Sequence, residues 1–211
     1  MNIYEALLQE SNRINEDASN PAFIPREQPP AKTVKAYKLF SGKSGRVRPL
    51  YVGANQDIPV GVWLDATEGT EGKPSKTGRK RVKSKLGGLS YRPGWHAGDL
   101  PIAGHIGTKD KAGAMQRRSN EVWAEVLLSA DKDYQSEAGP NGLPYLPEDG
   151  YYRFKTNSNM EGDWMIAGSM KIIKILSENE VNQILEAAGV APMAWEQGRL
   201  DLKSLGFDQD N

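Results

Sequence analysis

Short runs of branched and aromatic residues, each closed by glycine, proline or asparagine, recur along this chain and restrict it to a fold made of many short strands. Residues 34–40, 48–53 and 60–64 are runs of this kind. Residues 121–128 begin by alternating charged with apolar side chains, the period of a half-buried strand, and 150–156 and 164–176 add two more candidates. The last is interrupted at Ala167-Gly168-Ser169, which predicts a turn or bulge between two strands. Beyond it Ser177 stands where an N-cap belongs, and Glu180 completes a capping box. Val181, Ile184, Leu185 and Ala188 then form the apolar face of a helix ending at Gly189. The expected class is α+β and β-rich, a compact mixed or antiparallel sheet with a C-terminal helix and an N-terminal arm.

At 211 residues the chain fits one medium domain with appendages and is long enough to bury a core. That domain is expected over 33–190. Ahead of it, Ile3, Ala6, Leu7 and Ile14 fall near helical spacing, and the prolines at 21, 25, 29 and 30 impose extended backbone, so 1–32 reads as a helical arm with a linker. Behind it, 191–211 reads as a tail with a short turn around 200–205 and a frayed end. The 27 basic and 27 acidic residues cancel, which removes any global drive toward nucleic acid or anionic membranes and leaves only local sites. Cysteine is absent, which excludes disulfides, thiolate catalysis and thiolate zinc sites. No apolar run of about 18 residues occurs, and the first residues lack the pattern of a signal peptide, so a cytoplasmic protein is expected.

Three stretches carry residues suited to chemistry. In 89–99, Tyr91 and Trp95 offer flat faces, Arg92 and His96 can hold a carbonyl or phosphate, and Gly94 and Gly98 allow close approach to the backbone. This segment reads as a binding site, with His96 open to either a ligand-binding or a structural role. Between 73 and 85 stand Lys73, Lys76, Arg79, Lys80, Arg81, Lys83 and Lys85, a mobile basic loop that is either a solvated hairpin tip or a contact for the phosphates of a nucleic acid or another anion. His105 reads as a hydrogen-bonded residue near the start of a helix around Ala103, and its spacing from His96 matches no zinc signature, so no metal is expected. Glu161 and Asp163 precede a strand with one residue between them, and on extended backbone they would face the same side. Paired acids of that kind can stabilise a developing cation or accept a hydroxyl proton, and they can equally belong to a polar loop with Asn157 and Asn159.

The stretch 161–176 resembles the end of an ADP-ribosyltransferase domain, in which an acid-x-acid pair precedes an apolar strand, a short turn and a final strand. Gly88-Leu89-Ser90-Tyr91, then 101–105 and 122–128, are similar to the strand, helix and strand around that family's nicotinamide pocket, and 34–40 resembles its opening strand. The resemblance implies NAD as cofactor and substrate, transfer of ADP-ribose to a host macromolecule, Asp163 as the catalytic acid with Glu161 as its companion, and Tyr91 stacked on the nicotinamide ring. Asp163 stands where the family carries glutamate, and Lys38 where its opening strand carries arginine or histidine. Arg92 or His96 would then supply the cation for the amide or pyrophosphate. The Arg-Pro-Gly-Trp-His segment also resembles proteins of gut-bacterial phages and mobile elements. Three readings follow: an active transferase with Asp163, Glu161 and His96 catalytic and Tyr91, Arg92, Trp95 and Lys38 on the cofactor, a transferase-like domain without chemistry, and a phage protein that binds nucleic acid through its basic loop.

Overall fold

The computed structural model describes residues 21–104, 106, 108–109, 115–155, 161–191 and 202–207. The expected N-terminal helix, His105, Asn157 and Asn159 lie outside these residues. Ten strands form one sheet, in the order β1 (Phe23–Pro25), β4 (Trp63–Ala66), β14 (Ser169–Ile175), β10 (Glu121–Ser129), β2 (Thr33–Lys43), β7 (Trp95–Gly98), β13 (Trp164–Ala167), β12 (Gly150–Phe154) and β11 (Lys132–Asp133), with β3 (Arg46–Arg48) also on β2. Every pairing in it is antiparallel except the short one between β11 and β12. Two hairpins stand apart, β5 (Arg81–Ser84) with β6 (Gly87–Ser90), and β8 (Thr108–Lys109) with β9 (Met115–Gln116). The sheet is followed by helix α1 (Glu178–Ala187). No helix among the described residues is long and apolar enough to cross a membrane.

The interruption expected at Ala167-Gly168-Ser169 organises the whole sheet. β13 and β14 are one course of chain bent at Gly168, yet β10, β2 and β7 lie between them in the strand order. Ile166 pairs with His96 on β7, and Met170 pairs with Leu128 on β10, so the sheet curls until its path closes through the bend. Period-two alternation then sends one set of side chains inward. Ala36 and Phe40 of β2, Val122, Ala124, Val126 and Leu128 of β10, and Met170 and Ile172 of β14 make one buried cluster with Trp95 and Ala97 of β7. The intervening residues Tyr37, Leu39 and Trp123 face outward, where Val181 and Leu185 of α1 cover them. Lys38 falls among the inward set, between Ala36 and Phe40.

Helix α1 begins as the sequence predicts. The Ser177 hydroxyl accepts from the Glu180 backbone N–H, the Glu180 carboxylate accepts from the Ser177 N–H at 2.8 Å, and Lys174 Nζ donates to the same carboxylate at 2.6 Å. Three expectations need correction. The stretch read as a linker holds β1, whose Phe23 is buried in the core and whose Pro25 stands on an edge strand, where a missing donor costs no ladder bond. In 48–53 only Arg48 is in a strand, and the rest turns. The described residues around Ala103 form bends and turns rather than a helix. In the tail the expected turn is present at 202–206, and Leu202 packs into the main core.

Candidate functional site

The segment read as a binding site contains a central strand. Arg92, Pro93 and Gly94 make the bend, and Trp95 to Gly98 become β7 between β2 and β13. The two glycines serve this packing. Gly94 has φ 127°, and a Cβ there would lie 2.9 Å from the Ala167 carbonyl, while one at Gly98 would lie 2.7 Å from the Leu100 carbonyl. The close approach expected for a ligand is thus made by the chain's own backbone.

β7 meets β2 at a single pair, Tyr37 with Gly98. Beyond it the strands part, and Lys38 reaches across the gap to donate to the His96 carbonyl at 2.6 Å. A cavity of about 300 Å³ opens along this gap. The 91–96 bend, the turn after β3, the end of β4 and the β5–β6 hairpin wall it, the last through Val82 and Leu89. Tyr91, Arg92, Trp95, His96 and Lys38, five residues that the sequence proposed for one site, all line this cleft.

They are not equally free. Trp95 is buried in the core, its Nε1 donates to the Leu64 carbonyl at 2.9 Å, and its ring lies 5.4 Å from that of Phe23. Lys80 Nζ sits 3.9 Å over the ring of Tyr91, covering one stacking face, and burial with Glu68 beside it raises the phenol above its ordinary range. His96 Nε2 lies 2.8 Å from the Arg92 carbonyl, so that nitrogen carries the proton and the ring braces the bend. Burial above all, with Lys38 and Arg92 nearby, lowers its pKa to about 4 and keeps the ring neutral. Arg92 donates from Nε to the Asn141 carbonyl at 3.0 Å and lies 4.4 Å over the ring of Phe154, with no carboxylate at ion-pair distance among the described residues. Lys38 also lacks a carboxylate partner among them, stands 5.6 Å from the Phe40 ring and 5.8 Å from the Trp95 ring, and burial lowers its pKa to about 8.

The paired acids stand elsewhere. Neither Glu161 nor Asp163 lines the cleft. Trp164 and Ile166 do, and strand alternation sends Asp163 away from them, toward Arg153 at 3.5 Å and Lys155 at 3.4 Å. Glu161 is exposed in a bend ahead of β13, so the extended backbone that would set both acids on one face starts too late. The carboxylate on the cleft is Glu68, 3.6 Å from Lys80. Sequence reading missed Glu68 and Tyr51, since the turns holding them carry no motif and only the fold brings them to the gap. Among the described residues no group of histidines and acids is placed to hold a metal.

The basic loop is a hydrogen-bonded turn leading into β5, with Ser75 N–H donating to the Arg79 carbonyl and Gly72 N–H to that of Arg81. Lys73, Lys76, Arg79, Lys83 and Lys85 are exposed, Arg81 is half-buried, and Lys80 is engaged with Glu68 and Tyr91. The fold and site together define a curled β-sheet protein with a mainly apolar cleft beside a basic hairpin. Comparison with protein-family models, with curated proteins and with solved structures yields no match.

Proposed function

We propose that the cleft between β2 and β7 binds a small ligand joining a flat ring to an anionic group, with NAD, implied by the family resemblance, as the first ligand to test. The observation behind this reading is that Arg92 and Lys38, two cations without a carboxylate partner among the described residues, line one cavity with Tyr91 and Trp164. A guanidinium left unpaired beside apolar walls favours a phosphate or carboxylate. At about 300 Å³ the cavity is at the small end of ligand sites, with room for one ring and its sugar phosphate rather than a whole dinucleotide.

ADP-ribosyl transfer to a macromolecule of a bacterial host is the finer form of the proposal, and it rests on the resemblance. In that reaction the nicotinamide–ribose bond breaks and the acceptor bonds to the sugar carbon, whose developing positive charge a carboxylate stabilises. In this reading the carboxylate is that of Glu68, which lines the cleft. Calorimetry with NAD and with nicotinamide mononucleotide tests the binding. Arg92→Ala is expected to weaken it about tenfold, the worth of one charge-assisted contact, and Asp163→Asn to leave it unchanged. No heat with either ligand, or equal losses in both variants, would overturn the reading.

Nucleic acid remains a second reading because five hairpin cations are exposed with no ion-pair partner among the described residues. It requires oligonucleotide binding whose logarithmic salt slope shrinks by about one for each phosphate-contacting lysine neutralised. A salt-independent signal, or none, rejects it.

A further inference from the structure

We propose that Lys38 is a reactive amine that captures an aldehyde or ketone on a ligand in this cleft as an imine, with Arg92 receiving the ligand's anionic group. The inference rests on reading the gap between β2 and β7 as a ligand site, and it adds a covalent role for the residue at its floor.

Four observations support it. Lys38 occupies an inward position of β2, between Ala36 and Phe40, where alternation would ordinarily put an apolar side chain. Its Nζ makes one hydrogen bond, to the His96 carbonyl, and has no carboxylate within ion-pair distance among the described residues. Two aromatic rings flank the amine, so an ammonium there loses water without gaining a counter-ion. The residue nevertheless lines the cavity, so a ligand can reach it. An unpaired lysine in an apolar pocket is how proteins prepare an amine for carbonyl chemistry.

Burial brings the Lys38 pKa down to about 8, so at pH 8 about half of it is free amine, against less than about 1% of an ordinary exposed lysine. The lone pair on Nζ attacks the carbonyl carbon to give a carbinolamine. Nitrogen then loses its remaining proton and carbon its hydroxyl, as one water, leaving a C=N bond with no change in oxidation state. The charged or titratable groups that share the cleft with Lys38 are His96, Arg92, Tyr51, Tyr91 and Glu68, and the one carboxylate among them, Glu68, pairs with Lys80 and not with Lys38.

The experiment uses the full chain at pH 8 with pyridoxal 5′-phosphate, which combines a ring, an anion and an aldehyde. Imine absorbance is followed, borohydride fixes the adduct, and peptide mapping locates it. Adduct at Lys38 at least tenfold above that at any other lysine is the expected result. Lys38→Met, which keeps an apolar side chain of similar length, should lose the imine band while retaining the wild-type circular dichroism. Adducts spread over the exposed hairpin lysines, with Lys38 no higher than they are, overturn the proposal. If the probe displaces NAD but forms no imine at Lys38, the covalent role fails and the ligand site stands. If Lys38 is labelled and NAD does not bind, the covalent role stands and the NAD reading falls.

Discussion

Acidification from pH 6.5 toward 4 is expected to remove about 2 to 3 kcal/mol of stability through His96. The ring is neutral in the fold because burial opposes the imidazolium, and the nearby Lys38 and Arg92 cations oppose it further. A base whose pKa is depressed on folding binds fewer protons in the native than in the unfolded state throughout that window, so stability falls as pH falls. Above pH 6.5 the contribution is fully present, and below about 4 it is gone. Urea unfolding of wild type and His96→Gln across this range isolates the effect, since the glutamine amide can still donate to the Arg92 carbonyl and does not titrate. Asp57 and Glu180, held below their ordinary values by Arg48 and Arg46 and by Lys174 and Ser177, contribute to both proteins alike. Parallel loss of stability in the two proteins would contradict the placement of the ring.

Replacing Lys38 by methionine is expected to make the protein more stable at neutral pH, by about 2 kcal/mol. Lowering the lysine pKa from 10.5 to about 8 corresponds to about 3 kcal/mol of cost while both states are protonated, and removing the bond to the His96 carbonyl gives back about 1. Between about pH 8 and 10.5 the unfolded chain holds a proton that the native protein has released, so wild-type stability rises with pH and Lys38→Met lacks that rise. Tyr51, Tyr91 and Tyr152, all raised by burial, act in the opposite direction near the alkaline limit but equally in both proteins. Chemical unfolding at pH 7 and pH 10 measures the difference. A variant less stable than wild type at pH 7 would mean that the amine is paired in the fold.

What could be read before the structure follows from where periodicity was strong. β2 is a run rich in aromatic and branched residues, β10 begins by alternating, the Ser177–Glu180 box announces α1, and Ala167-Gly168-Ser169 announces the bend that closes the sheet. β7 escaped because Arg92-Pro93-Gly94 reads as a turn and the four residues after it are too few to show a period, with none of them exposed to mark a solvent face. β1 escaped because prolines at 25, 29 and 30 mimic a linker, although an edge strand tolerates them. The site was legible in part. The aromatic-cationic segment and Lys38 do meet, across a gap that no local pattern reveals. The family resemblance joins Glu161 and Asp163 to them, but the direction of Trp164 sends Asp163 to the other face.

The claim that the parted strands β2 and β7, rather than the acid pair, form the ligand site is tested most directly by backbone amide NMR during titration with NAD. Shifts confined to Lys38, Leu39, the 91–96 bend and Glu68, with Glu161 and Asp163 unmoved, are the predicted result. Shifts centred on Asp163, Arg153 and Lys155 with the cleft silent would contradict it.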